Sequence, residues 1–305
     1  METLKLARKK RWGDLPTAFL FLLPSFLILA VFNFYPMVDA IRLSFYKWNR
    51  LTTPQVFTGF DNYTKLFSDA SFWNSLKVTF SYTIWVTTIS ILLGLVLAVG
   101  LNQSWLFLKS FWRVLYFLPV VTPTVAAAMV WKLLFQPSFG YVNMVLQNVG
   151  FDIEKLTWLV SAQLALPTVI SLGIWRRIGF TIIVYLAALQ AIPQEYYEGA
   201  RVDGAGAWQT FSRITVPLLK PTTLMLVTLG LIDSFLVFDQ VLIMTRGGPA
   251  ESTMVLGVFL YTNAFTYFKM GYGAAISVVT LIIIAAMTLL QWRFVGFGKS
   301  EMEAQ

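Results

Sequence analysis

Three ionisable residues stand where the sequence is otherwise apolar: Arg176 and Arg177 within the run 161–190, and Asp233 within the run 222–245. Charge at membrane depth is costly, so such groups pair with one another, hold a ligand or relay a proton. Arg176 lies roughly 21 Å along its run from Gln190, and Asp233 roughly 18 Å along its own from Pro221, at about 1.5 Å per helical residue. One of the arginines can therefore meet Asp233 across a helix bundle, lining or bordering a cavity. An interhelical salt bridge with no substrate role satisfies the same spacing. The chain has no histidine and no cysteine. Disulfides, thiolate chemistry, imidazole triads and His-ligated metals are thereby excluded. No pair of intramembrane carboxylates stands at catalytic spacing, so no catalytic residue and no metal site is assigned.

The residues that must position these charges are mostly apolar. Of 305 residues 57% are hydrophobic and 12% charged, about half the charge of a soluble domain. Taking about 20 apolar residues as a membrane crossing, six spans are expected, at 15–35, 76–101, 111–135, 161–190, 222–245 and 273–294. Pro24, Pro119, Pro123 and Pro167 fall inside them. Proline at that depth needs neighbouring helices or water to satisfy the freed backbone, which favours a bundle around a cavity. The first run exceeds a signal-peptide core and is followed by no small-x-small cleavage site, so it reads as a retained span.

An even number of spans puts both termini on one side. With the basic tail (Lys5, Arg8, Lys9, Lys10, Arg11) inside, the cytoplasmic segments hold twelve Lys and Arg against seven outside. That agrees with the positive-inside rule. The net charge of +8 suits anionic lipid, and no aromatic-interleaved basic stripe suggests nucleic acid. Aromatics for stacking on a sugar ring and polar groups to orient it are present at Tyr82, Trp85, Asn102, Trp131, Trp175, Tyr185, Phe235 and Gln240, although any bundle carries such residues. Tyr185 and Phe235 join Arg176, Arg177 and Asp233 as pathway candidates.

The cytoplasmic loop 191–221 contains "EYYEGARVDGAGAWQTFSRITVP". Pro193 opens a short helix with acids in its first turn. Asp203-Gly204 supplies a turn, and a second helix is expected to stop before Pro217. Tyr197, Ala200, Trp208, Phe211, Ile214 and Leu218 recur at helical spacing as an apolar stripe. Such an elbow fits a partner's groove or rests on lipid; periodicity leaves both open.

The order Glu198-Gly199-Ala200, three residues, Gly204, nine residues, Ile214-Thr215-Val216-Pro217 resembles the EAA motif of ABC importer permeases, E-A-A, three residues, G, nine residues, I-x-L-P. Gly199 departs at the second position and Val216 at the Leu. "FLLPSFLILAVFNFYPMVDAIRLSFYKWN" (21–49), "YLAALQAIPQEYYEGARVDGAGAW" (185–208), "FDQVLIMTRGGPAEST" (238–253) and "MGYGAAISVVTL" (270–281) are similar to the larger-type permease subunit of maltose-like and glycerol-phosphate-like importers.

The resemblance implies an all-α membrane protein of six transmembrane helices, a type I (MetI-like) permease core with an extra N-terminal helix. Its parts are a cytoplasmic tail 1–14, a first helix and outer loop 15–75, a five-helix core 76–294 carrying the coupling loop 191–221, and a tail 295–305. It implies that Glu198, Gly199, Ala200, Asp203, Gly204, Trp208, Phe211, Ile214 and Pro217 dock on an ATPase subunit. It further implies two ATP-binding cassette subunits that hold ATP and Mg, a second related permease of a different chain, an extracytoplasmic binding protein, and a bacterial or archaeal inner membrane. The loop 245–253, with 36–75 and 136–160, becomes the outer docking surface. This chain has no phosphate-cradling G-x-x-x-x-G-K-[ST] sequence and carries out no ATP chemistry. Its cargo is a sugar or polyol derivative. The alternative is a stand-alone ion-coupled transporter with Asp233 as its proton site.

Overall fold

The computed structural model describes residues 15–49, 54–103, 107–150 and 156–295. The basic tail at 1–14, most of the C-terminal tail, Arg50 and Lys155 lie outside the described residues.

Helix α1 (Leu15–Leu29) runs through a π-helical turn (Ala30–Phe34) into α2 (Tyr35–Leu43), so the first span is longer than the expected 15–35. None of its apolar window is buried inside the chain, as a helix facing lipid requires. A two-residue antiparallel pair comes next, β1 (Tyr46–Lys47) with β2 (Val56–Phe57), Tyr46 opposite Phe57. Helix α3 (Asp61–Ser68) closes this region, and its buried Asn62 amide donates to the carbonyls of Ser44 and Tyr46 at 2.8 and 3.0 Å. Phe45 packs edge-on against Phe60, and Tyr46 against Phe57. These rings therefore hold one another as well as furnishing an aromatic fringe. The chain divides into two compact units, one of residues 1–66 with 263–279 and one of 67–262 with 280–305.

The second unit is built on α4 (Ala70–Asn102), 33 residues long and so about 50 Å. It starts six residues earlier than expected because the Asp69 carboxylate caps it, accepting from the Ser71 amide at 2.9 Å, as an N-cap aspartate does. The third expected span is two helices, α5 (Lys109–Val121) and α6 (Thr124–Leu134), bent by 99° at Thr122-Pro123. Thr122 is extended at ψ 128, since a following proline disfavours the helical region. A short α7 (Tyr141–Asn148) leads to α8 (Ala162–Ala191), which is capped by Ser161 and stays continuous across Pro167. Pro24 and Pro119 also remain inside helices; only Pro123 of the four breaks one.

Next come α9 (Gln194–Val202), α10 (Ala207–Thr210), a π-helical turn (Phe211–Thr215) and α11 (Val216–Leu218). Then α12 (Lys220–Phe235), at 61° to the segment before it, stops where the expected span 222–245 continues. At 16 residues it rises only about 24 Å, short of the roughly 30 Å of a hydrocarbon layer. Residues 236–238 are irregular before α13 (Asp239–Met244). Such backbone is tolerated at depth where protein covers it or a cavity solvates it. Gly257, in α14 (Leu256–Tyr261), supplies the cover: a Cβ there would stand 2.8 Å from the Val237 carbonyl. A π-helical turn (Thr262–Thr266) precedes α15 (Met270–Val295). Six spans satisfy length and composition among the described residues when each bent pair counts once.

Small residues let the long helices approach. A Cβ on Gly94 of α4 would lie 2.5 Å from Thr181 Cγ2 of α8, and one on Gly173 would strike the Tyr82 hydroxyl. Around the first contact pack Ala98, Ile182, Leu189 and Leu226, and around the second Val86, Val169, Leu172 and Val241.

Candidate functional site

The elbow begins at Pro193, which precedes α9 with the carboxylate of Glu195 in the first turn. At its far end the chain turns over: Asp203 N donates to Gly199 O at 3.0 Å, Gly204 N to Arg201 O at 3.1 Å and Ala205 N to Ala200 O at 2.9 Å. Gly204 closes this turn at φ +73, the left-handed conformation that glycine takes without a Cβ penalty. The Gln209 side chain accepts from Gly206 N at 3.0 Å and fixes the start of α10.

The second helix does not stop before Pro217. Pro217 lacks the N–H of a regular turn and its ring crowds the preceding one, and a π-helical turn at Phe211–Thr215 absorbs the clash. The chain changes direction only after Leu218, where Pro221 occupies the first turn of α12.

Among the expected coupling residues, Ala200 is buried, Phe211 and Ile214 are half-buried, and Glu198, Gly199, Asp203, Gly204, Trp208 and Pro217 are exposed. Trp208 shows 75% of its surface, so it leaves the apolar stripe to which its spacing assigned it, as does the exposed Leu218. The extra residue of the π-helical turn rotates α10 relative to α11 about their shared axis, and one stripe no longer spans both. Val202, 87% exposed, and Tyr196 add apolar surface that helical spacing did not reveal; Tyr196 falls one position and Val202 two positions off the stripe. The Tyr197 hydroxyl and Thr215 Oγ1 lie 3.3 Å apart and join the two arms of the elbow. Between these arms and the ends of α4 and α8 is a cavity of about 490 Å³, bordered by Asn102, Leu189, Arg201 and Phe211 among others.

Deeper in the same unit, Arg177 Nη1 meets Asp233 Oδ2 at 3.1 Å, and its Nη2 donates to the Leu226 carbonyl at 3.1 Å. Arg177 is thus the arginine of the pair, and it grips α12 at two points seven residues, about two turns, apart. Gly230 lies between these contacts and makes room, since a Cβ there would be 2.9 Å from Arg177 Nη2 and 2.7 Å from Thr87 Cγ2.

Arg176, Arg177 and Asp233 line one cavity of about 310 Å³, with Tyr82, Thr124, Phe180, Ser234, Phe238, Asp239 and Gln240. The Gln240 amide donates to the Tyr82 hydroxyl, both side chains being buried. Tyr185 and Phe235, expected beside these charges, are packed into the core instead. The Tyr185 hydroxyl donates to Thr223 Oγ1 at 3.0 Å, and Phe235 lies edge-on to Phe80. Both are under 2% exposed, because each ring has packed partners on neighbouring helices. Trp131 and Trp175 pack together, with ring centroids 4.8 Å apart, and Trp85 faces outward at 55% exposure. Val237 and Phe238 reach the cavity only because α12 breaks before them.

At the far end of α4, the loop 245–254 is tied down. Ser71 Oγ donates to Glu251 Oε1, and the Asn74 amide donates to the Glu251 carbonyl, each at 3.0 Å. Among the described residues no cluster of carboxylates could hold a metal.

Six apolar spans, a cavity lined by charged groups and an elbow with an outward tryptophan suit a membrane transport component. A family model described as "Binding-protein-dependent transport system inner membrane component" matches residues 90–295. The chain is 36% identical to the probable ABC transporter permease protein YurN of Bacillus subtilis (strain 168), over 93% of this chain and 97% of that one. It is 31% identical to the arabinooligosaccharides transport system permease protein AraP of the same organism, over 97% and 95% of the two chains. In fold it is similar to a chain of a bacterial ABC transporter involved in the import of the acidic polysaccharide alginate, with a TM-score of 0.82, 24% identity, and coverage of 95% and 100%. The chain belongs to the binding-protein-dependent transport system inner membrane components, the permeases of ABC transporters.

Proposed function

We propose that this permease carries a sugar or polyol derivative inward, forming half of the pathway beside a second, related permease chain. Two ATP-binding cassette subunits power it with ATP and Mg, and a soluble extracytoplasmic binding protein delivers the cargo. Both termini and the elbow face the cytoplasm.

The observation that carries this reading is the exposure pattern of the elbow. Val202, Asp203, Gly204 and Trp208 are exposed at and beside its turn, while the Tyr197–Thr215 contact ties its arms to one another and Ala200 is buried. A rigid turn with a protruding aromatic suits insertion into a cleft. Movement there has a direct route inward. The second arm runs through Pro217 and a 61° bend into α12, and α12 carries both Leu226 and Asp233, the two groups that Arg177 holds. Closing of the ATPase dimer would swing α12 and remodel the cavity, which is alternating access by levering one helix. The loop 245–254, anchored to α4 through Glu251, suits a docking place for the binding protein. Relatives named for arabinooligosaccharide transport, and the mixture of rings and hydrogen-bonding groups on the cavity wall, support a saccharide cargo.

The test is uptake of labelled oligosaccharides into proteoliposomes holding the whole complex. Uptake should require ATP on the cytoplasmic side and binding protein on the other, and should survive collapse of the proton gradient. Uptake driven by a proton gradient without ATP would instead make Asp233 a proton site and this chain a secondary transporter.

A further inference from the structure

The two arginines on the cavity wall are not equivalent. Arg177 is satisfied on one side by Asp233 and on the other by the Leu226 carbonyl. Arg176, the preceding residue of α8, lines the same cavity, yet no carboxylate lies within salt-bridge distance of it among the described residues. The Nε of each arginine is buried without a hydrogen-bond partner, so the difference lies in the carboxylate and carbonyl that Arg177 holds and Arg176 does not. An unpaired guanidinium inside a membrane bundle is costly, and its planar fork of donors matches a carboxylate. Asp239, the other acid on the wall besides Asp233, is exposed at the first turn of α13, where water and salt screen it. Hydroxyl-binding groups accompany the free cation: Thr124, Ser234 and the Tyr82–Gln240 pair.

We propose that Arg176 is a charge-selecting residue of the pathway, and that the cargo is an acidic saccharide whose carboxylate pairs with this guanidinium during passage. The proposal rests on the saccharide-permease reading and narrows it from sugars in general to those carrying an anionic substituent. Arg177 is not available for this role without giving up Asp233. The selection is made in the membrane, so it acts in addition to any choice made by the binding protein.

The experiment compares uptake of matched probes by the reconstituted complex: short uronic-acid oligosaccharides, and the same oligosaccharides with their carboxyl groups reduced to alcohols. The native complex should take up the acidic probes and prefer them to the reduced ones. In Arg176→Gln the acidic probe should lose about 10- to 100-fold in uptake, the range of one charged hydrogen-bonding contact, while the reduced probe changes little. Arg176→Lys should restore part of the preference.

Equal loss of both probes in Arg176→Gln would overturn the proposal, pointing to a structural partner on another subunit. Efficient uptake of neutral probes with none of acidic ones would do so as well, with the saccharide reading intact. Uptake of neither probe class, nor of any other oligosaccharide, would remove the saccharide reading itself. The comparison of the two probes in the native complex needs no variant, so a misfolded Arg176→Gln protein leaves the proposal decidable.

Discussion

Arg177 and Asp233 form an ion pair of unequal burial, 8% of the arginine side chain being exposed against 69% of the aspartate's. The buried partner depends on the exposed one, and the reverse is not true. Asp233→Ala strands a guanidinium that the interior cannot hydrate, whereas Arg177→Gln leaves a carboxylate already in contact with its surroundings. Removing Asp233 should therefore destabilise the chain by about 1–3 kcal/mol, the cost of an unsatisfied buried group. Removing Arg177 should cost less, and the double variant should recover part of the loss. Thermal unfolding of the purified chain in detergent distinguishes these; equal effects of the two single changes would contradict the asymmetry.

Two of the elbow glycines, Gly199 and Gly204, should respond in opposite ways to alanine. Gly199 lies inside α9, and an added methyl would have no other atom within 4 Å, so Gly199→Ala should stabilise the helix by up to about 1 kcal/mol. Gly204 has equally open space but φ +73, so Gly204→Ala should cost about 1–2 kcal/mol. Hydrogen exchange over 194–206 would register both, as slower opening in the first and faster in the second.

Close helix approach at Gly94 should tolerate nothing larger. A methyl there meets Thr181 at 2.5 Å, and Thr181 has little freedom because it is buried on α8. Gly94→Ala should lower stability by about 1–3 kcal/mol through overpacking, and pairing it with Thr181→Ser should return part of that. A Gly94→Ala chain as stable as the native one would mean that α4 and α8 have slack at this crossing.

The spans and the turn of the elbow are legible in the sequence because each depends on a local property. Length and apolarity set α4, α8 and α15, and the left-handed demand of the Asp203-Gly204 turn is written in its glycine. The bend at Thr122-Pro123 is likewise signalled by proline, although Pro24, Pro119 and Pro167 show that proline alone does not decide where a helix breaks. The end of α12 has no such signal. Leu236, Val237 and Phe238 continue the apolar run without proline or glycine, and the break depends on cover from Gly257 and on the cavity beside it. Residues that reach the cavity through that break have no mark in the sequence. Nor does spacing reveal that Tyr185 and Phe235 are absorbed by packing partners, or that a π-helical turn sends Trp208 outward. Depth narrows the ionic partner of Asp233 to two adjacent arginines, and only the packing of α8 against α12 chooses between them.

The proposed function makes the elbow the element through which ATPase closure reaches α12, and one measurement addresses that directly: binding-protein-stimulated ATP hydrolysis by the reconstituted complex, with the native chain and with Trp208→Ala, Glu198→Lys and Gly204→Pro. Trp208 is largely exposed, so its truncation should leave the unfolding midpoint of the chain nearly unchanged. Stimulated hydrolysis and uptake should fall at least about tenfold in that variant, as truncating a central aromatic anchor does, and further in the other two. Full stimulation and uptake in all three, with the chain assembled in the complex, would show that the elbow does not carry the coupling.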